Sequence, residues 1–140
     1  MTSRLRFVFD TNVLVSTVLV YGGKAQQAFL KADRNGYFLL SQGTFEELEE
    51  VIFRKKFDKY ITKKERDQFL RDLLAKSVRI PITEPITACN DPDDDMFLEV
   101  AVNGQADYII TGNIKDFPPS PFRGISILRP AEFLEIELSE

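Results

Sequence analysis

Histidine is missing altogether from this 140-residue sequence, and cysteine occurs once. The first absence excludes histidine-based triads, imidazole acid–base catalysis and the usual zinc enzymes. The second excludes an internal disulfide, because Cys89 has no partner, and a thiolate metal site with it. Long apolar runs are missing too. The longest, Val13 to Tyr21, is broken by Ser16 and Thr17 and falls far short of the ~20 residues of a membrane span. The first residues place Arg4 and Arg6 around one leucine, without the apolar region and small-residue cleavage site of a signal peptide. Together these absences predict a cytoplasmic protein with no membrane association. Gly22-Gly23-Lys24 lacks the spacing and the Ser/Thr of a P-loop and reads as a loop. Any chemistry must therefore run on carboxylates, hydroxyls, amides, lysines or bound metal.

What is present suits one domain over residues 1–140, since domains most often hold roughly 100–150 residues. Hydrophobic residues make up 44% of the chain and twelve are phenylalanine, enough for a real core. The net charge of −4 argues against a polyanionic partner, but its distribution does not. Residues 54–79 hold ten Lys/Arg against four Asp/Glu, a balance of +6 that leaves −10 for the rest. Such asymmetry can steer a nucleic acid locally despite the overall sign, although a solvated helix surface would look the same.

Short apolar runs alternate with helical patterns along the chain. Leu5 to Phe9, Tyr37 to Leu40, Val78 to Ile80, Asp107 to Thr111 and Ile125 to Leu128 read as strands. Helices are expected from Val13 to Tyr21, from Lys24 to Arg34, from near Phe45 to about Phe57, after Thr62, from Asp91-Pro92 through Val102, and from Pro130. This alternation implies a parallel sheet covered on both faces. In such sheets the ligand site lies beyond the carboxyl ends of the strands.

That rule sorts the acids. Asp10 closes the first strand, where it can serve a site or merely cap the following helix. Asp91-Pro92-Asp93-Asp94-Asp95 crowds four carboxylates at a helix start. Capping and the helix dipole use one or two of them; a nearby cation would account for the rest. Asp94 and Asp95 lie one turn before Leu98 and Val102, so at least one can point inward, and spacing does not choose between them. Glu47 borders the buried side marked by Leu48, Val51 and Ile52, but Thr44-x-x-Glu47 also reads as a capping box. Asp107 begins its strand, about 13 Å from the site end, and takes a structural turn role. Asn113 and Asp116 follow Thr111 at the site end. Oxygen ligands of this kind suit Mg²⁺ or Mn²⁺, which activate water and neutralise charge on a phosphodiester.

The run Phe7-Val8-Phe9-Asp10-Thr11-Asn12-Val13 opens a set of four motifs. Glu47-Leu48-x-x-Val51-Ile52 with Arg54-Lys55-Lys56-Phe57 is the second. Asp91-Pro92-Asp93-Asp94-Asp95-x-Phe97-Leu98 is the third, and Ala106 to Asn113 the fourth. In order and spacing they resemble the PIN domain family, in particular its bacterial and archaeal branch of VapC-like toxins from toxin–antitoxin pairs. The resemblance implies a three-layer α/β/α fold with a parallel sheet of about five strands. It implies Mg²⁺- or Mn²⁺-dependent endonucleolytic hydrolysis of single-stranded RNA, an antitoxin partner and a homodimer, with which the apolar Phe133, Leu134 and Ile136 are compatible. By the same resemblance Asp10 and Asp95 are the main metal ligands and Glu47 is the third acid. Asp95 is preferred over Asp94 on that ground alone, with Asp94, Asn12 and Thr111 supporting. Asn113 stands where many members carry an acid, and Asp116 can compensate. Arg54, Lys55 and Lys56 are the candidate RNA contacts. The alternative is a PIN fold without turnover that binds protein or RNA partners, and Asn113 is the feature favouring it.

Overall fold

The computed structural model describes residues 4–138. Five strands form one sheet: β1 (Leu5–Phe9), β2 (Gly36–Leu40), β3 (Ser77–Arg79), β4 (Tyr108–Ile110) and β5 (Ser126–Leu128). Their order is β3-β2-β1-β4-β5 and every pairing is parallel. Parallel strands need crossover connections that lay helices on the sheet, so both faces must be apolar. In β1, Leu5, Phe7 and Phe9 enter one hydrophobic cluster while Val8 enters the other, as a period of two requires.

On the first face lie α1 (Thr11–Leu19), α2 (Lys24–Asn35), α3 (Gln42–Ile52), α4 (Lys63–Ala75) and α6 (Pro130–Glu135). On the second face lies α5 (Asp95–Asn103), joined by Ile80, Ile86, Phe117 and Ile125 from irregular segments. This is the expected three-layer α/β/α arrangement. None of the described helices is long and apolar enough to cross a membrane.

Several local expectations are revised. The helix expected to reach Phe57 stops at Ile52. Arg54 is extended (φ −62°, ψ 142°) and a 3-10 turn follows over Lys55–Phe57. The cap of α3 is Ser41, with Thr44 completing the box, so the Thr44–Glu47 box does not form and Glu47 is free for another role. Phe133 offers no dimer surface. It is fully buried, edge-on to Phe7 at 5.6 Å between ring centroids, and Leu134 and Ile136 pack against the same cluster. Asp107 keeps the structural role expected of it, its carboxylate accepting the Arg6 N–H at 2.8 Å.

The order of the strands also locates a crevice. From β1 the chain winds to β2 and β3 on one side, then crosses back to β4 and β5 on the other. Adjacent strands that leave in opposite directions open a gap at their carboxyl ends. Here those strands are β1 and β4, paired Phe9 with Ile110, so Asp10 and Thr111 emerge side by side.

Candidate metal centre

Asp10 has two tasks at once. It caps α1, its Oδ1 accepting the Val13 N–H at 2.8 Å, and its Oδ2 accepts the Thr111 hydroxyl at 2.5 Å. Asp10 is 3% exposed, and burial pushes its carboxyl above the usual range against the pull of those hydrogen bonds. The next residue, Thr11, donates its hydroxyl to Glu47 Oε2 at 2.5 Å. Two consecutive residues after β1 thus bring two carboxylates to the site: Asp10 supplies one, and Thr11 holds that of Glu47 from α3. Thr11 was not among the residues singled out in the sequence. Its only signal was adjacency to Asp10.

The crevice is lined by Asp10, Thr11, Asn12, Glu47, Asp91, Asp93, Asp94 and Asn113, with Arg54 bringing a cation to the rim. Asp94 is the buried member of the aspartate run. Its Oδ2 is buried and has no hydrogen-bond partner among the described residues. Single carboxylate oxygens of Asp91, Asp94 and Asp116 all come within 4.8 Å of one another. At an effective dielectric of ~20, two unit charges ~5 Å apart repel by about 3 kcal/mol. Burial, then Asp91, Asp10, Asp116 and Glu47, push the Asp94 carboxyl up to about 6. Clustered carboxylates around a buried oxygen that lacks a donor form a donor set suited to a hard divalent cation.

Asp95, preferred over Asp94 by resemblance, is not brought into the crevice. Its Oδ1 accepts the N–H groups of Ala88 at 3.0 Å and Cys89 at 2.8 Å. Burial pushes its carboxyl up, but those N–H groups and the Cys89 thiol hold it below the usual range. The reason is a stripe along α5. Asp95, Glu99 and Asn103, four residues apart, face the same way and clasp the irregular segment that runs antiparallel to the helix. Glu99 accepts the Ile86 N–H, and the Asn103 amide oxygen accepts those of Thr83 and Glu84. Residues at i, i+4 and i+8 share a helix face, so Asp94, one step round the helix, is the one turned to the crevice.

The remaining candidates divide as follows. Thr111 is buried, and besides donating to Asp10 it accepts the Asn113 N–H at 3.0 Å. Asn12 and Asn113 are exposed at the rim, and Asp116 stands in the carboxylate trio. Arg54 pairs with Glu50 at 2.9 Å on the surface, while Lys55 and Lys56 lie exposed on the adjoining 3-10 turn. Asp91 emerges as a member of the trio; in the sequence it read as a helix cap, and it does accept the Asp93 N–H.

The raised Asp94 carboxyl has a consequence for metal-free protein. The fold binds this proton more tightly than the unfolded chain does, so its stabilising contribution is full below the ordinary value of 3.8 and lost as pH rises through about 6. An asparagine carries no such dependence. Without metal, Asp94→Asn is expected to melt above wild type at pH ~7, and the gap is expected to close as the pH falls to ~4.5. Melting curves of both proteins across that range are the measurement; a gap independent of pH counts against the assignment.

The sequence profile described as PIN domain matches residues 6–115. No curated protein matches the sequence. Among solved structures, the chain is similar in fold to one in the crystal structure of VapBC2 from Rickettsia felis bound to a DNA fragment from their promoter. The likeness has a TM-score of 0.57 and covers 88% of this chain and 97% of that one, at 15% identity. The match runs from within β1 into the turn after β4 and takes in every acid of the site but Asp116, and the chain belongs to the PIN domain family.

Proposed function

We propose that this protein is a divalent-metal-dependent endoribonuclease that hydrolyses single-stranded RNA in the cytoplasm, the toxin of a toxin–antitoxin pair. The observation that carries the reading is the Asp94 carboxylate: one of its oxygens is buried without a partner among the described residues, it lines the crevice with Asp10 and Glu47, and it forms a trio with Asp91 and Asp116. Asp94 with Asp10, Glu47, Asp91 and Asp116 would hold Mg²⁺ or Mn²⁺, and Asn113 adds a neutral oxygen at the rim. Asp95 is left out of the ligand set. When bound, the ion neutralises charge at the scissile phosphate and makes water a better nucleophile at neutral pH. Thr111 and Val13 orient Asp10, and Thr11 orients Glu47, so both carboxylates are set before substrate arrives. Arg54 meets the phosphate backbone at the rim, and Lys55 and Lys56 extend that contact along the strand.

An antitoxin partner is supported by the family and by the likeness to a chain of the VapBC2 structure. A homodimer remains part of the proposal through the resemblance. A PIN fold without turnover is the second reading, and Asn113 in an acid's usual place favours it. Asp116 in the trio weighs the other way.

The test is cleavage of a labelled single-stranded RNA by the pure protein with Mn²⁺. Cleavage is expected, and excess chelator is expected to abolish it; undiminished cleavage in chelator overturns the metal, and intact RNA throughout selects the second reading. Reversing Arg54, Lys55 and Lys56 to glutamate is expected to weaken RNA binding and flatten its dependence on salt by about three counterions' worth of slope. Unchanged affinity and slope would make the basic turn ordinary solvated surface.

A further inference from the structure

The two acid-bearing turns, a 3-10 turn over Pro92–Asp94 before α5 and another over Ile114–Asp116 after β4, are distant in sequence and must be held against each other. Three consecutive residues do so instead. The N–H groups of Ala88 and Cys89 are anchored on Asp95 Oδ1. The N–H of Asn90 donates to the Asp116 carbonyl at 2.7 Å, and its side-chain Nδ2 donates to the Lys115 carbonyl at 2.9 Å. Asp91 follows at once, its carbonyl accepting the Asp94 N–H at 3.0 Å. The distance between the Asp91 and Asp116 carboxylates is therefore set by a strut running from Asp95 through residues 88–90 to the 113–116 turn.

We propose that Asn90 and Asp95 are positioning residues for the metal centre: they hold Asp91 and Asp116 beside Asp94 against their mutual repulsion. The inference rests on the proposed metal-dependent reading of this site. Neither residue need touch the ion. Without the strut, the like charges drive the two turns apart, and a cation must first gather its own ligands. Partners that orient ligands typically change metal affinity by 10–100-fold when removed. Asp95 works through its acceptor oxygen rather than its charge, because Oδ1 holds the strut by accepting the backbone N–H groups of Ala88 and Cys89.

The experiment is Mn²⁺ binding to the whole, RNA-free protein, read by calorimetry and by loss of the free-ion electron paramagnetic resonance signal. The variants are Asn90→Ala, Asp95→Ala, Asp95→Asn and Asp94→Asn, each first checked for folding by melting without metal. Asn90→Ala and Asp95→Ala are expected to bind Mn²⁺ at least about tenfold more weakly than wild type. Asp95→Asn, which keeps an oxygen for the two N–H groups, is expected to stay within a few-fold of wild type, whereas Asp94→Asn loses binding. If Asp95→Ala does not fold, Asn90→Ala carries the comparison, since it removes one side-chain bond from an exposed residue. Wild-type affinity in either folded alanine variant overturns the proposal. So does Asp95→Asn failing as completely as Asp94→Asn, which would make Asp95 a ligand. A wild type that binds no Mn²⁺ sinks the metal-dependent reading beneath it as well.

Discussion

Asparagine in place of Asp94 is expected to lower Mn²⁺-supported RNA cleavage by at least roughly 100-fold, since even the partners that only orient ligands are worth up to that much. The argument is local. The Asp94 oxygen has no donor to satisfy it among the described residues, and its neighbours within reach of the same space are carboxylates. An amide there adds a donor but removes the charge a hard cation needs. The fold is expected to survive, because the substitution relieves repulsion rather than opening a cavity. Single-turnover cleavage at saturating RNA, beside a melting curve, makes the measurement. Cleavage near the wild-type rate by Asp94→Asn, with cleavage lost in Asp95→Asn, would return the ligand role to Asp95.

Alanine at Gly36 is expected to cost at least about 3 kcal/mol of stability, beyond the common range for one substitution. Gly36 closes α2 and opens β2, paired with Leu5 in the sheet. A methyl group there would lie 1.9 Å from the Leu5 carbonyl oxygen and 2.6 Å from its carbon. Both are backbone atoms of the central strand and cannot turn aside. Either β2 shifts along β1 or the pair separates, and both disturb the strand end that presents Asp10. The control is Gly43→Ala, in the first turn of α3 with nothing nearer than Ser41 Oγ at 3.9 Å. It is expected to be neutral or slightly stabilising. Urea unfolding of the two variants decides; equal midpoints would mean that β1 and β2 can part without penalty.

The frame of this fold was legible because it rests on short-range patterns. Phe7-Val8-Phe9 before Asp10, and Tyr108-Ile109-Ile110 before Thr111, are apolar strands ending in polar residues. A parallel sheet brings such ends together. Asp10 became a candidate by the same reasoning, and Glu47 by bordering the helix face that Leu48, Val51 and Ile52 bury. The choice between Asp94 and Asp95 could not. The two are adjacent at a helix start, and what separates them is a loop that returns to clasp Asp95, a contact made by tertiary structure. The spacing Asp95-x-x-x-Glu99-x-x-x-Asn103 was visible, but without the loop it reads as an ordinary polar face. The start of α3 was misplaced for a similar reason. Its cap, Ser41, directly follows a strand, and Gln42-Gly43 give no apolar period to reveal the first turn. That Phe133, compatible in sequence with a dimer, belongs to the core was not legible, because a short terminal helix gives few residues from which to judge its inner side.

The clasp along α5 also bears on how the molecule breathes. Segment 83–89 is held by the side chains of Asn103, Glu99 and Asp95 and not by a backbone ladder. Rotating one side chain frees one or two amides, so opening here proceeds rung by rung. The amides of β1 and β4 lie between paired strands and require the sheet itself to part. In hydrogen exchange, then, the amides of Thr83 to Cys89 belong to a local, low-energy class, and those of Val8 and Ile110 to the class that follows global unfolding. The least secure layer of the fold is thus the one that leads into the acidic turn of Asp91 to Asp94. A cation drawing that turn together would slow exchange there first, before any change in the sheet.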